Sequence, residues 1–446
     1  MMMPSILDML LRSTPAMAAE CSTGGAAGGP ILPFVQIEAV GGWAPGRAFI
    51  PRDEGGAFLT DARLAGASTG ARNGATAQFN GSALMPPAGN GTGDNNFLRG
   101  FQDVLNAAPA AVRTSVQANT VVGQICSSTQ DDSNNNRLSA LTAISAAGLN
   151  GQYISSALGP QSSASGARSQ SPLLQSNPPT PLRVRNISDV VGAVGLGGAM
   201  GNTSDTFKSL ITAAAKNLFN RQAVSLAGRR NAEALIEQGK CAMETNEGFA
   251  SSVASTVNPF DNTNADRAAV NAIYGNNNQG EAIAVYNSLR GFSGAAGIEQ
   301  GGADYHGSEN NRRTTDLALG QKVGRVLAMA ASLNVPVLLY VYSDGSVGYS
   351  RNNQDTGGDD GTKAMYQLFH YSPDGPSTLI NNGQVGNFRA ASQSVDGSTI
   401  VGSVADNVVW TVVANWLSLQ GRLADLGNLT SNADVLAARD ELVMFS

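Results

Sequence analysis

Four segments of the chain bring together residue types that bind cations or attack esters. Asp304 and His306 stand two apart in Gly-Gly-Ala-Asp-Tyr-His-Gly. A carboxylate and an imidazole at that spacing can face one ion from a turn, although the same residues also make an ordinary surface turn. Asp131, Asp132 and Ser133 follow an apolar run and open a helical pattern. A helix N-terminus stabilises negative charge. Ser133 is therefore a candidate nucleophile and Asp132 a candidate cation ligand. Plain helix capping by Asp, Ser and Asn is the competing reading. Asp344 ends a fully apolar run in Ser-Asp-Gly-Ser, placed for a metal, for a substrate hydrogen bond, or for a turn. Asp359 and Asp360 lie in a loop rich in Asn, Gly and Asp. Such oxygen-rich loops suit calcium or magnesium, but the closing glutamate of an EF-hand is missing. His370 follows an apolar stretch and reads as a structural histidine.

These segments need elements to position them. Phe34–Val40 and Thr120–Cys126 are short apolar runs rich in β-branched residues, which predict buried strands. Leu138, Leu141, Ile144 and Ala147 recur at helical spacing after the second. Phe97–Leu105 predicts a short helix, and 206–219, 223–238 and 280–290 carry further helical patterns. Asp316 suits a helix cap, and Leu319, Val323, Val326, Leu327 and Ala330 then share one helix face. Val335–Tyr342 is apolar throughout, which suggests a parallel strand covered on both sides. A last helix is expected over 406–423. Strands separated by long helical stretches predict an α/β fold, a three-layer sandwich with a mostly parallel central sheet and long loop insertions. In such sheets chemistry gathers beyond the carboxyl ends of the strands, where Gly41-Gly42, 131–136 and 343–346 would stand. Residues 30–446 read as one domain, with an exposed Pro/Ser-rich insertion near 160–182.

Composition narrows the function. Of 446 residues 14% are charged, against about 25% in a typical globular protein. The net charge is -6, and no lysine precedes Lys208. That excludes the dense cationic face a nucleic-acid binder needs. Apolar runs fall well short of the about 20 residues of a membrane-spanning helix. Cys21, Cys126 and Cys241 show no zinc-type spacing. His306 and His370 are the two histidines of the chain, too few for a site built on three or more. The Gly-rich stretch 192–202 lacks a leading strand and a following acid, so it does not read as a dinucleotide fingerprint. Residues 1–29 read as a targeting or flexible segment. Ala16-Met17-Ala18-Ala19 is like a signal-peptidase site, and Asp8 and Arg12 interrupt the apolar region before it.

Three stretches together resemble a large bacterial family of exported proteins of unknown function related to alkaline phosphatases and sulfatases. They are FVQIEAVGG at 34–42, SSTQDDSNNN at 127–136, and 301–346, which runs from GGADYHG to SDGS. The resemblance implies an alkaline-phosphatase-like fold in the periplasm or outside the cell. It implies a divalent metal (Zn, Mn, Mg or Ca) held by Asp304, His306, Asp344, Asp132 and Asp360. It also implies a small phosphate or sulfate ester, or an anionic glycan, as substrate, with Ser133 in the place of a nucleophile by position. The chain departs from that pattern in two places. Trp43 follows the glycine pair where an acid is common, and no histidine accompanies Asp359-Asp360. A reduced metal-dependent hydrolase site is one expectation. A non-catalytic binding or structural envelope protein on the same fold is the other.

Overall fold

The computed structural model describes residues 31–59, 76–78, 83–85, 95–129, 138–154, 156–159, 181–193, 255–275, 278–305, 309–349 and 355–446, with the isolated positions 213 and 217. Twelve strands occur among them: β1 (Phe34–Ala39), β2 (Thr76–Gln78), β3 (Ala83–Met85), β4 (Thr120–Cys126), β5 (Leu158–Gly159), β6 (Leu182–Arg183), β7 (Ala296–Gln300), β8 (Val337–Ser343), β9 (Val347–Tyr349), β10 (Asp355–Asp359), β11 (Met365–Tyr371) and β12 (Gln384–Val385). Eight build one open sheet in the order β12-β4-β11-β8-β1-β7-β5-β6. Strand β11 runs antiparallel to both β4 and β8, and every other pairing in the sheet is parallel. The remaining strands form two small hairpins, β2 with β3 and β9 with β10.

The central strands are apolar on both sides because both sides are covered. On one face Val35, Ile37, Leu339, Val341 and Phe369 pack against α1 (Asn96–Ala107), α5 (Gln279–Leu289) and α6 (Glu309–Leu333). On the other, Phe34, Leu338, Tyr340, Tyr342 and Leu368 pack against α3 (Leu141–Ala146) and α7 (Ala405–Ser418). The expected α/β class, the mostly parallel sheet and helices on both faces are therefore present. Helix α2 (Ala110–Asn119) and helix α4 (Arg267–Tyr274) complete the helical layer used below.

Helices α1 and α6 approach closely because glycines face each other. A Cβ on Gly320 would lie 1.9 Å from the Phe97 carbonyl oxygen, and one on Gly100 would lie 2.0 Å from that of Leu317. Asn95 starts α1 by accepting the Leu98 amide at 2.9 Å, and its own amide donates to the Ala48 carbonyl at 2.9 Å. The cap thus also ties the helix to the loop that leaves β1.

Some expectations are corrected. Asp316 does not cap a helix. Helix α6 already begins at Glu309, and Asp316 lies inside it, buried. The last helix ends at Ser418, and Gly421 follows with φ +68°, a left-handed turn that breaks the periodic pattern. The apolar run at 335–342 pairs parallel with β1 but antiparallel with β11. Burial on both faces explains its composition whichever way its neighbour runs. The helical patterns at 206–219 and 223–238, and most of the insertion near 160–182, lie outside the described residues.

Candidate functional site

The loops beyond the carboxyl ends of β1, β4, β7 and β8 meet at one edge of the sheet. The β1–β7 ladder continues past both strands, with Val40 N–H donating to the Gln300 carbonyl at 2.9 Å and Ala303 N–H to the Val40 carbonyl at 3.1 Å. The ladder sets Asp304 beside the glycine pair. Gly41 has φ +108°, and a Cβ there would lie 2.4 Å from the Asp304 Cβ. Glycine is thus required twice at this position, for its backbone conformation and for the close approach. A Cβ on Gly42 would lie 3.5 Å from the Ser346 carbonyl oxygen, and that oxygen accepts the Asp360 amide at 2.8 Å. Gly361 backs onto Thr129, whose carbonyl oxygen would be 2.8 Å from an added Cβ. Gly41-Gly42, 303–305, 343–347, 360–362 and 127–129 therefore form one continuous neighbourhood.

The expected site residues distribute over this edge as follows. Asp304 is exposed and Asp344 half-buried. Asp360 caps the short turn Gly361–Lys363, its Oδ1 accepting the Thr362 amide at 3.0 Å and the Thr362 hydroxyl at 2.5 Å. Asp359 belongs to β10. Asp132, Ser133 and His306 lie outside the described residues. Among the described residues no three His, Cys, Asp or Glu side chains come together as a metal site. No helix among them is long and apolar enough to cross a membrane.

A buried carboxylate that sequence reasoning misassigned stands directly behind this edge. Asp316 accepts hydrogen bonds from Trp43 Nε1 at 2.9 Å, Arg47 Nε at 3.1 Å and the Tyr305 hydroxyl at 2.6 Å. Burial pushes its carboxyl above the ordinary range, while Arg47 and the hydroxyl and indole donors pull the other way. Arg312, four residues earlier on α6, donates to the Tyr305 carbonyl at 3.0 Å and holds the same loop. A signal for this residue exists in the sequence. Asp316 stands three before Leu319 and seven before Val323, on the apolar stripe itself, where a carboxylate needs partners.

The other face of the edge is also polar. Gln36 Nε2 donates to Ser139 Oγ at 2.8 Å and to the Tyr342 hydroxyl at 3.0 Å, and its Oε1 accepts the Ala140 amide at 2.9 Å. Buried Glu38 stands in register between Glu299 and Tyr342. Burial and the Glu38 carboxylate push the Tyr342 hydroxyl well above its ordinary range. Farther along, beyond the ends of β5 and β7, lies a cleft of about 290 Å³ lined by Gly159, Glu281, Gly301 and Lys322 among others. The buried Glu281 carboxylate there accepts from Lys322 Nζ and, at 3.3 Å, from Arg325 Nε. Compared with protein-family models, curated proteins and solved structures, the chain matches none of them.

Proposed function

We propose that the edge around Gly41, Asp304 and Asp344 is a functional site of an exported, alkaline-phosphatase-like protein that hydrolyses phosphate or sulfate esters. The observation that carries this reading is the direct packing of Gly41 on Asp304, beside Ser346 and Asp360, beyond the carboxyl ends of parallel strands. In open α/β sheets that is where ligands bind. Asp304 and Asp344 offer hard oxygen donors, but the described carboxylates do not make up a metal site by themselves. A divalent cation, when bound, supplies charge neutralisation at the ester oxygens. The chain's own residues take the remaining roles. Glycine at 41 lets the Asp304 loop pack directly on the end of β1, which sets Asp304 at the edge, where it orients the ligand. The Ser133 hydroxyl or a water attacks phosphorus or sulfur, the bond to the ester oxygen breaks, and the attacking group's proton passes to the departing alcohol; where Ser133 attacks, a water then cleaves the seryl ester and restores the hydroxyl.

A specific observation favours the second reading, a binding or structural protein on the same fold. The Asp360 carboxylate is occupied in a local cap. The residue after the glycine pair, Trp43, turns its indole to Asp316 rather than offering a ligand atom to the edge.

Turnover of p-nitrophenyl phosphate and p-nitrophenyl sulfate, with and without added Mn²⁺ or Zn²⁺, separates the two. Hydrolysis lost in Asp304→Ala supports the enzyme. Equal turnover in that variant removes Asp304 from the site. Absence of turnover, with saturable calorimetric binding of dextran sulfate by the unaltered protein, supports the binding protein.

A further inference from the structure

Two loops that frame the proposed site are fastened to one side chain. Trp43 and Arg47 belong to the loop that leaves β1, and Tyr305 to the loop that leaves β7. All three donate to the carboxylate of Asp316, which is 2% exposed. Trp43 and Tyr305 share Oδ1, while Arg47 takes Oδ2. Asp316 in turn sits on α6, the helix that connects β7 to β8 and packs on α1. One carboxylate therefore joins the glycine-pair loop, the Asp304 loop and the helix between two central strands.

We propose that Asp316 is a positioning residue for the carboxyl-edge site. It sets the separation of Gly41-Gly42 from Asp304 by holding the next residue of each segment, Trp43 and Tyr305. This rests on the reading of that edge as the functional site. Packing alone does not account for a carboxylate here. An apolar side chain would continue the stripe of Leu319 and Val323, and replacing buried ion pairs by well-packed apolar residues is often neutral or stabilising. What an apolar residue cannot do is accept three donors from two loops in fixed directions. Bidentate use of the carboxylate fixes both angle and distance, and small misplacements of reacting groups are costly in rate.

The test uses Tyr305→Phe in the full chain, because it removes one hydroxyl and keeps both the ring and the Arg47–Asp316 pair. Trp43→Phe is the reciprocal variant. Amide hydrogen exchange is read by mass spectrometry over 41–49, 301–305 and, as a reference, β8. The expected result is faster exchange, by about fivefold or more, in both loop segments for either variant, with β8 unchanged. Where the unaltered protein turns over p-nitrophenyl phosphate or sulfate, kcat should fall about tenfold or more with KM within about twofold. Exchange that changes only in the segment carrying the substitution overturns the proposal. So does a kcat equal to that of the unaltered protein. If neither ester is turned over by the unaltered protein, the ester reading falls, and the exchange pattern alone decides whether Asp316 couples the two loops.

Discussion

Gln124 and Gln367 stand in register on the neighbouring antiparallel strands β4 and β11, both buried on the face that packs against α1 and α6. Gln124 Nε2 donates to the Ile50 carbonyl at 3.3 Å, but its Oε1 and both amide atoms of Gln367 have no hydrogen-bond partner among the described residues. An unsatisfied buried amide costs about 1–3 kcal/mol. Gln367→Met keeps the shape and removes the polar atoms. It should leave stability unchanged or raise it by about 1 kcal/mol, read as a higher urea midpoint at constant slope. A loss of more than that would show that the amide contributes a bond of its own.

Gly41→Ala tests the close approach at the candidate site. The substitution meets both a positive φ and a Cβ placed 2.4 Å from that of Asp304. A cost of about 3 kcal/mol is expected in chemical denaturation. Gly375, with φ +126° but nothing within 4 Å of an added Cβ, is the control for conformation alone. Its Ala variant should lose about 1 kcal/mol, the cost of the backbone conformation by itself.

His370 supplies a pH dependence. It is buried on β11 beside Phe445, with Ser377 Oγ 2.6 Å from Nδ1, and burial lowers its pKa from 6.5 to about 4. Above pH 6.5 the imidazole is neutral in both folded and unfolded chains and contributes no slope. Between pH 6.5 and about 4 the unfolded chain takes up a proton that the folded one refuses, so stability falls as pH falls. Its share of the loss is on the order of 3 kcal/mol. His370→Leu should flatten denaturation midpoints measured between pH 7 and pH 4.5 relative to the unaltered protein. Parallel curves would contradict the assignment.

The Glu281 cluster makes an asymmetric prediction. Glu281→Gln leaves Lys322 and Arg325 without their shared carboxylate, in a site where the three side chains are 6%, 15% and 14% exposed. It should cost about 3 kcal/mol. Lys322→Met should cost less, because Arg325 still pairs with Glu281 and the methionine covers the same apolar wall. Equal costs in thermal denaturation would mean that Arg325 contributes nothing to holding the carboxylate.

Strands β1, β4 and β8 were legible because a strand covered on both faces must be apolar throughout. Strands β7 and β11 were not. Ala296–Gln300 is short and ends in two polar residues, and Met365–Tyr371 buries Gln367 and His370, so neither shows a clean apolar run. The glycine pair, Asp304 and Asp344 were legible as segments, and the topology carries them to the same edge. Their side-chain roles were not legible. Whether Asp360 binds a ligand or caps Thr362 depends on a local backbone turn. That Asp316 binds three loop donors rather than starting a helix depends on contacts 11 to 273 residues away.

The order of the strands also sets a timetable for synthesis. Val35 pairs with Ala296 and Phe34 with Leu338, so the central strand precedes its two neighbours by about 260 and 300 residues. At roughly 5–20 residues per second, β1 leaves the ribosome roughly 15–60 s before β8 exists to pair with it. During that interval an apolar strand with two open edges has no place in the fold. The two edges of β1 stay open until Ala296–Gln300 and Val337–Ser343 have both been made, and through that interval β1 is the segment of this sheet most exposed to pairing with other chains.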